Sequence, residues 1–444
     1  RSQAIVMVED LLARVAARPR GVPALIAPGT SIDGPALFEA VERLAADLAG
    51  SGARVLATLL DNGPAWIVAD LAALRAGIVH VPLPAFFTPA QRAHALETAG
   101  VDAMLAPGPL PGFESRARSV AGATVYLGRR SAVPALLPEG TAKVTFTSGT
   151  TGTPKGVCLS AEAMLAVARS LADALAPLAI ERHLVALPLP VLLENLAGVY
   201  APLWHEANVV VPPLAAVGVT GSSSFDPALL DAMVRRERAN SVITLPQMLR
   251  AWTAWRSASA STWRADLRFV AVGGAAAGRA LIGRARAAGL PAYEGYGLSE
   301  GCSVQTLNLP GADRPGSVGR ALPHVRPRDG ARDAPSLVPV FPLLPAMRHR
   351  FALPVRTLVG LLFVVAPSLT PVAAQPRGDE RRVLGPADIF QMVSMELFQQ
   401  LSRLRKTESL GSWLATVANR MCLQWKRKQK ATARAEFAQA AEIA

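Results

Sequence analysis

TFTSGTTGTPKG, Thr145 to Gly156, sets six hydroxyl side chains, three glycines and a single lysine in twelve residues. Backbone N–H groups of such a loop can converge on an anion, and the hydroxyls add donors. A lysine at its end supplies a mobile positive charge for triphosphate oxygens. Of the chain's 46 basic residues only six are lysine: Lys143, Lys155, Lys406, Lys426, Lys428 and Lys430. A sequence that elsewhere writes arginine keeps lysine here. The P-loop of nucleotide hydrolases needs Gly directly before Lys and Ser or Thr after it. Pro154 precedes Lys155 and Gly156 follows, which excludes that class. Composition alone leaves a flexible polar loop as the competing reading.

Around the loop, β-rich runs alternate with alanine-rich helical runs. ARVLATLLD reads as a strand and PAWIVADLAALRAG as a helix ending at Gly77. IVHVPLP is a strand, followed by the helix TPAQRAHALETAG with Thr88 as cap and Pro89 at its first position. KVTFTSG is a strand running into the quoted loop, and SAEAMLAVARSLADAL is the helix after it. HLVALPL, NVVVPP, NSVITLP and RFVAVGG read as further strands, with helices such as DPALLDAMVRRERA between them. This alternation predicts an α/β fold with parallel-rich sheets flanked by helices. In such sheets ligands bind at loops after the carboxyl ends of strands, where the quoted loop falls.

The length of 444 residues predicts two or three domains, and a content of 51% apolar with 5% aromatic residues suits a packed core. Cys158, Cys302 and Cys422 are odd in number and widely spaced, which implies a reducing, cytoplasmic setting without disulfides or a thiolate metal site. The first residue is Arg1, and no secretory signal is visible there. The charge of +13 is uneven: residues 1–327 carry 29 basic and 24 acidic residues, and residues 328–444 carry 17 and 9. The basicity belongs mostly to the tail and does not license a nucleic-acid reading of the whole chain.

The order of residues in TSGTTGTPKG resembles the signature of the adenylate-forming superfamily, which includes acyl- and aryl-CoA synthetases and peptide-synthetase adenylation domains. The resemblance continues in order through VGGAAAG (Val272–Gly278), YEGYGLSE (Tyr293–Glu300) and GSVGRALP (Gly316–Pro323), and covers residues 1–327. It implies two α/β subdomains, 1–165 and 166–327, with a nucleotide cleft between them. It implies ATP, Mg²⁺ and coenzyme A as cofactors, and activation of a carboxylic acid by attack on the α-phosphate with loss of pyrophosphate. Thr147, Ser148, Gly149, Thr150, Thr151, Gly152 and Lys155 would hold the β- and γ-phosphates. Tyr296, within Glu294–Gly295–Tyr296–Gly297, would stack on adenine, with Gly273, Gly274 and Ala275 on the other side. Ser299 would bond the α-phosphate and Glu300 would hold Mg²⁺, so the catalytic set is Lys155, Ser299 and Glu300.

YGLSE resembles the long-chain fatty acyl-CoA ligase branch most, which makes a fatty acid and CoA the expected substrates; peripheral membrane contact is a further expectation. LPLPVLLENLAGVYAPL (Leu187–Leu203) corresponds to the segment lining the acyl pocket. Many relatives carry a histidine there, where this chain has Leu192, Leu193 and Glu194. Structural roles are expected for the flanking His183 and His205. The family continues into a small β-subdomain with a ribose-binding Thr-Gly-Asp and a lid bearing a catalytic lysine. Neither is found after Arg320, and the chain reads as an acyl-activating enzyme cut short.

Beyond Val325 the character changes. Residues 328–385 are expected to be an irregular linker that includes a signal-like run, RTLVGLLFVVAPSLTPVAAQ, and 386–444 a helical basic tail. WLATVANRMCLQWKRK (Trp413–Lys428) resembles the second conserved region of extracytoplasmic-function sigma factors, whose interleaved aromatic and basic residues suit melted DNA. The tail is read as joined to the ligase part by a frame or assembly accident. The competing whole-chain reading is a nucleotide-binding or nucleic-acid-binding regulatory fusion, with nucleic acid expected only through the basic tail.

Overall fold

The computed structural model describes residues 3–147, 154–221, 224–259 and 266–325. The chain divides into two units, Arg1–Pro342 and Leu343–Ala444, and every described residue belongs to the first. The expectations for 328–385 and 386–444 lie outside the described residues.

In chain order, helix α1 (Gln3–Ala16) precedes β1 (Pro23–Ala27), β2 (Thr30–Asp33), α2 (Gly34–Gly50), β3 (Val55–Thr58), α3 (Pro64–Ala76), β4 (Val79–Pro82) and α4 (Pro89–Thr98). Strands β5 (Ala103–Ala106), β6 (Glu114–Val120), β7 (Ala123–Arg129), β8 (Thr141–Thr147) and β9 (Lys155–Ser160) lead to α5 (Ala161–Leu175) and β10 (Arg182–Leu184). A helix of three parts follows: α6 (Leu192–Glu194), a π-helical segment (Asn195–Tyr200) and α7 (Ala201–Trp204). Then come β11 (Asn208–Val210), the short pair β12 (Val219–Thr220) and β13 (Ser224–Phe225), and α8 (Pro227–Glu237). The described region closes with β14 (Ser241–Thr244), α9 (Pro246–Ala258), β15 (Phe269–Val272), α10 (Arg279–Ala287), β16 (Ala292–Leu298), β17 (Ser303–Leu307) and β18 (Arg320–Ala321).

These elements build two large sheets, ordered β6-β7-β5-β3-β4-β8-β9 and β18-β17-β16-β15-β14-β10-β11-β1-β2. Each is parallel at its centre and antiparallel toward its ends. The mixed α/β class and the flanking helices are as the sequence predicts. The sheets are less contiguous in sequence than a division at residue 165 supposes. Strands β1 and β2 precede the whole first sheet yet lie in the second, because β1 supplies a parallel partner for β11 and the tight turn to β2 closes that edge antiparallel. HLVALPL yields only a three-residue strand, after which the chain leaves the ladder toward α6.

Helices α3 and α5 lie between the sheets. Helix α3 contacts β3 and β4 on one side and β1 on the other, while α5 contacts β8 and β9 as well as β17. A helix covered on all faces must be apolar all round, and α3 buries ten consecutive residues from Ala65 to Leu74. One of them is Asp70. Local signals frame the helices as expected: Thr88 and Gln91 form a capping box at α4 with Pro89 following, and Gly77 ends α3 at φ 66°.

Candidate active site

Strands β8 and β9 form an antiparallel pair at the edge of the first sheet, in which Thr147 opposes Lys155. Ser148, Gly149, Thr150, Thr151 and Gly152 lie outside the described residues. At the base of the hairpin Thr147 Oγ1 donates to the Lys155 carbonyl at 3.5 Å. His94 Nε2 donates to the Pro154 carbonyl at 3.0 Å, and its ring meets Phe146 edge-on. Helix α4 thus pins the last residue before Lys155. The Lys155 side chain itself is exposed.

The second wall is built on β15 and β16. Past the end of β15, Gly273 sits so close to Leu193 that a Cβ would lie 3.1 Å from Leu193 Cδ2. Gly274 adopts φ +80°, a conformation that side chains disfavour, while Ala275 is exposed. Glu294 is buried and its Oε1 accepts from the Ala277 amide at 2.7 Å, so its carboxylate holds the 273–277 loop from behind. Strand β16 changes character midway: residues 292–294 pair parallel with β15, and Gly295 to Leu298 pair antiparallel with β17 through a register shift. Gly295 and Gly297 admit that strand; a Cβ on Gly297 would meet the Ser303 carbonyl oxygen at 1.9 Å. Between them Tyr296 is 39% exposed, enough for its ring to receive a planar partner. The 3₁₀ turn Ser299–Gly301 then presents Glu300 to solvent. It is followed by Cys302 and Ser303, both with positive φ, +62° and +80°, a costly backbone for two non-glycine residues.

Strand β9, which opens on Lys155, contacts this 3₁₀ turn. The β8–β9 hairpin and the Glu300 turn are therefore neighbours. Burial raises the Tyr296 phenol pKa, and the neighbouring Glu300 charge raises it further. The Cys302 thiol is pushed up to about 12 by burial, against the lowering influence of Lys143. Among the described residues no group of three or more His, Cys, Asp or Glu could cage a metal. A lone carboxylate such as Glu300 suits Mg²⁺, which is held by one or two carboxylates together with substrate phosphates. The oxygen donors, the lysine and the open tyrosine face fit a magnesium nucleotide.

A cluster that the motifs do not reveal lies in the buried interior. Asp70 Oδ1 accepts from His80 Nδ1 at 2.6 Å and from Lys143 Nζ at 2.8 Å. Its Oδ2 accepts from Asn195 Nδ2 at 2.7 Å and from the Tyr200 hydroxyl at 2.9 Å. Lys143 also donates to Asn195 Oδ1 and lies over the Tyr200 ring, and Thr58 Oγ1 meets His80 Nε2 at 2.9 Å. All are buried. Burial alone opposes the Asp70 charge, but Lys143 and His80 outweigh it and hold the carboxyl far below its usual range. Burial lowers the His80 pKa more than Asp70 restores it, which leaves a neutral ring. It donates through Nδ1 and accepts the Thr58 hydroxyl at Nε2. The signals for this cluster are an aspartate in an otherwise apolar helix and Lys143, one of two lysines before residue 327.

A second buried set explains the departures in the 187–203 segment. His183 Nδ1 meets Ser241 Oγ at 2.7 Å and its Nε2 meets Glu194 Oε1 at 3.0 Å; Glu194 Oε2 accepts from the Leu187 amide at 2.9 Å. Both His183 and Glu194 are thus structural. His205, near the surface, lies 3.8 Å from Asp173.

This two-sheet architecture is that of the N-terminal domain of adenylate-forming ligases. The AMP-binding enzyme family matches residues 12–328, and the chain belongs to that family. It is 30% identical over 198 residues to an indoleacetate–CoA ligase of Aromatoleum aromaticum, covering 43% of this chain and 36% of that protein. It is 33% identical to a long-chain-fatty-acid–CoA ligase of Thermus thermophilus, covering 40% and 31%. A fatty acid–[acyl-carrier-protein] ligase of Mycobacterium marinum is 27% identical, covering 72% and 63%. These matches each span less than two thirds of the relative's length. Among solved structures, an anthranilate CoA ligase with anthranoyl-AMP superposes at TM-score 0.57 and 17% identity, over 71% of this chain and 63% of that one. An o-succinylbenzoate CoA synthetase of Bacillus subtilis with ATP and magnesium gives 0.53 and 23%, over 70% and 65%. No helix among the described residues is long and apolar enough to cross a membrane.

Proposed function

We propose that the chain binds MgATP and activates a carboxylic acid, with a long-chain fatty acid as the substrate and CoA as the acceptor. One observation carries the reading: β9, opening on Lys155, contacts the turn bearing Glu300. This contact supports taking the two motifs, far apart in sequence, as adjoining walls of one site.

In this reading Thr147 and Lys155, with Ser148, Gly149, Thr150, Thr151 and Gly152, hold the β- and γ-phosphates. Tyr296 covers one face of adenine, and the Gly273–Ala275 turn, held by Glu294, supplies the other wall. Glu300 holds Mg²⁺, and Ser299 bonds the α-phosphate. A carboxylate oxygen of the acid attacks the α-phosphorus; the bond to the bridging oxygen breaks and pyrophosphate leaves with the electron pair. Charge moves within the phosphates, so the residues act by positioning and electrostatic stabilisation. The thiol sulfur of CoA, its proton released, then attacks the acyl carbonyl and AMP departs. The choice of an apolar acid rests on the resemblance of the 187–203 segment to an acyl-pocket lining; its Leu189, Leu192, Leu196 and Val199 are packed in the core and Glu194 is bonded inward.

Pyrophosphate release with ATP, Mg²⁺ and a panel of acids tests the reading. It predicts release dependent on a long-chain fatty acid. Release with aryl acids alone would move the substrate class, and no MgATP affinity would overturn the nucleotide site.

A further inference from the structure

The buried cluster around Asp70 demands a role. Its charges balance and every Asp70 lone pair is used, but a buried ion pair is often no more stabilising than well-packed apolar residues of the same volume. What such a network does supply is a single allowed arrangement, because each broken bond strands a desolvated polar atom. The question is which arrangement it fixes.

Lys143 comes from the strand that carries the first wall, and Asn195 and Tyr200 come from the π-helical segment, outside β15 and β16. Lys143 and Thr147 are four residues apart on β8 and share one face of that strand, with Thr145 between them. The Thr145 hydroxyl is buried and has no partner among the described residues. Lys143 is therefore the anchor of the strand that presents Thr147 and, across the hairpin, Lys155. Asn195 and Tyr200 lie on the π-helical segment that continues α6, and α6 contacts β17, the strand that leaves the Glu300 turn. Tyr200 and Cys302 belong to one buried cluster. Asp70, on α3, accepts from Lys143 on one side and from Asn195 and Tyr200 on the other, and His80, on β4, donates to the same carboxylate. The Glu300 turn has a strained exit at Cys302 and Ser303, and such backbone persists only where its surroundings over-determine it.

We propose that Asp70, His80, Lys143, Asn195 and Tyr200 are positioning residues for nucleotide binding, whose network fixes the spacing between the hairpin that presents Thr147 and Lys155 and the turn that presents Glu300. The inference rests on the MgATP reading above and adds to it residues that touch no nucleotide.

The test is a double-mutant cycle on the full chain, read as MgATP affinity by calorimetry. Lys143→Met would strand the Asp70 carboxylate and is expected to fold poorly, so Tyr200→Phe, which removes one oxygen, carries the cycle with Glu300→Gln. His80→Gln is a second probe of the same carboxylate. Tyr200→Phe should weaken MgATP binding about fivefold. In the Glu300→Gln background the same change should have less than about a twofold effect, because the geometry it disturbs no longer has a carboxylate to place. Asp231→Asn, in the separate buried set with Trp252 and Arg256, should lower the melting temperature and leave affinity unchanged. A wild-type chain without MgATP affinity overturns the functional reading and this inference with it. A wild-type chain that binds MgATP, with Tyr200→Phe and His80→Gln binding equally well or acting additively with Glu300→Gln, overturns the inference alone.

Discussion

Asp70 Oδ2 accepts a hydrogen bond from the Tyr200 hydroxyl at 2.9 Å, joining residues 130 positions apart, one on the helix between the sheets and the other on the π-helical segment that continues α6. The same carboxylate accepts from Lys143 and His80. Removing one member of such a group leaves its partner desolvated, and breaking a buried pair typically costs about 3–5 kcal/mol. Lys143→Met is expected to destabilise by an amount of that order. Replacing Lys143 and Asp70 together by Met and Leu should recover much of it, since no charge then stays unpaired. Urea denaturation of the two variants checks this; a double variant no more stable than the single would show that the charges are not coupled.

Acidification should destabilise the fold, and His80 supplies part of the effect. Burial holds the His80 pKa below its ordinary value of about 6.5. Below that pH the unfolded chain takes up a proton that the native ring refuses. The unfolded state then binds more protons, and stability rises with pH through the window. A single such group contributes up to about 1.4 kcal/mol per pH unit. Asp70, whose carboxyl is held down in the fold, adds a second loss once the unfolded carboxyl protonates below about pH 4. Denaturation at pH 7.5, 6 and 5 should show a shallower decline for His80→Gln than for wild type. Equal slopes would mean that the ring is already charged in the native state.

Lys155 is exposed at the hairpin, so Lys155→Gln should leave the melting temperature of the free protein unchanged. In the proposed site it meets phosphate oxygens, and hydrogen bonds to charged groups contribute about 1.5–3 kcal/mol. MgATP affinity should fall roughly 10- to 150-fold. Calorimetric titration reads it, and unaltered affinity would remove Lys155 from the phosphate site.

Gly297→Ala tests the hairpin that carries Tyr296 and Glu300. Its Cβ would lie 1.9 Å from the Ser303 carbonyl oxygen, with Ser303 already at positive φ. Backbone cannot yield as a flexible side chain does, so β17 must move. A loss of stability above about 2 kcal/mol is expected, with loss of MgATP binding. A variant of wild-type stability would show that the hairpin is held more loosely than its geometry requires.

The Cys302 thiol, buried and pushed up to about 12, should resist alkylation in the folded chain, because the thiolate is the reactive form. Iodoacetamide at pH 8 followed by peptide mass spectrometry should label Cys302 only after denaturant is added. Rapid native labelling would show that the turn after Glu300 opens.

Much of this protein is written locally. The capping box of α4 and the glycine ending α3 each rest on residues a few positions apart, and so does the alternation that makes the sheets parallel at their centres. Those signals survive in a one-dimensional reading because the forces behind them are short in sequence. The hydroxyl- and glycine-rich stretch before Lys155 and the segment leading to Glu300 are likewise contiguous in sequence, although residues 148–153 lie outside the described residues. What the tertiary structure decided is everything that depends on partners far along the chain. Nothing local places β1 and β2 in the second sheet, since a parallel strand takes whichever neighbour the packed helices leave open. Nothing local makes Glu194 the partner of His183. Asp70, His80 and Lys143 each read alone as a polar residue at an apolar position. Only when two sheets close around α3 do they meet, and only the desolvation that this closure imposes compels them to satisfy one another.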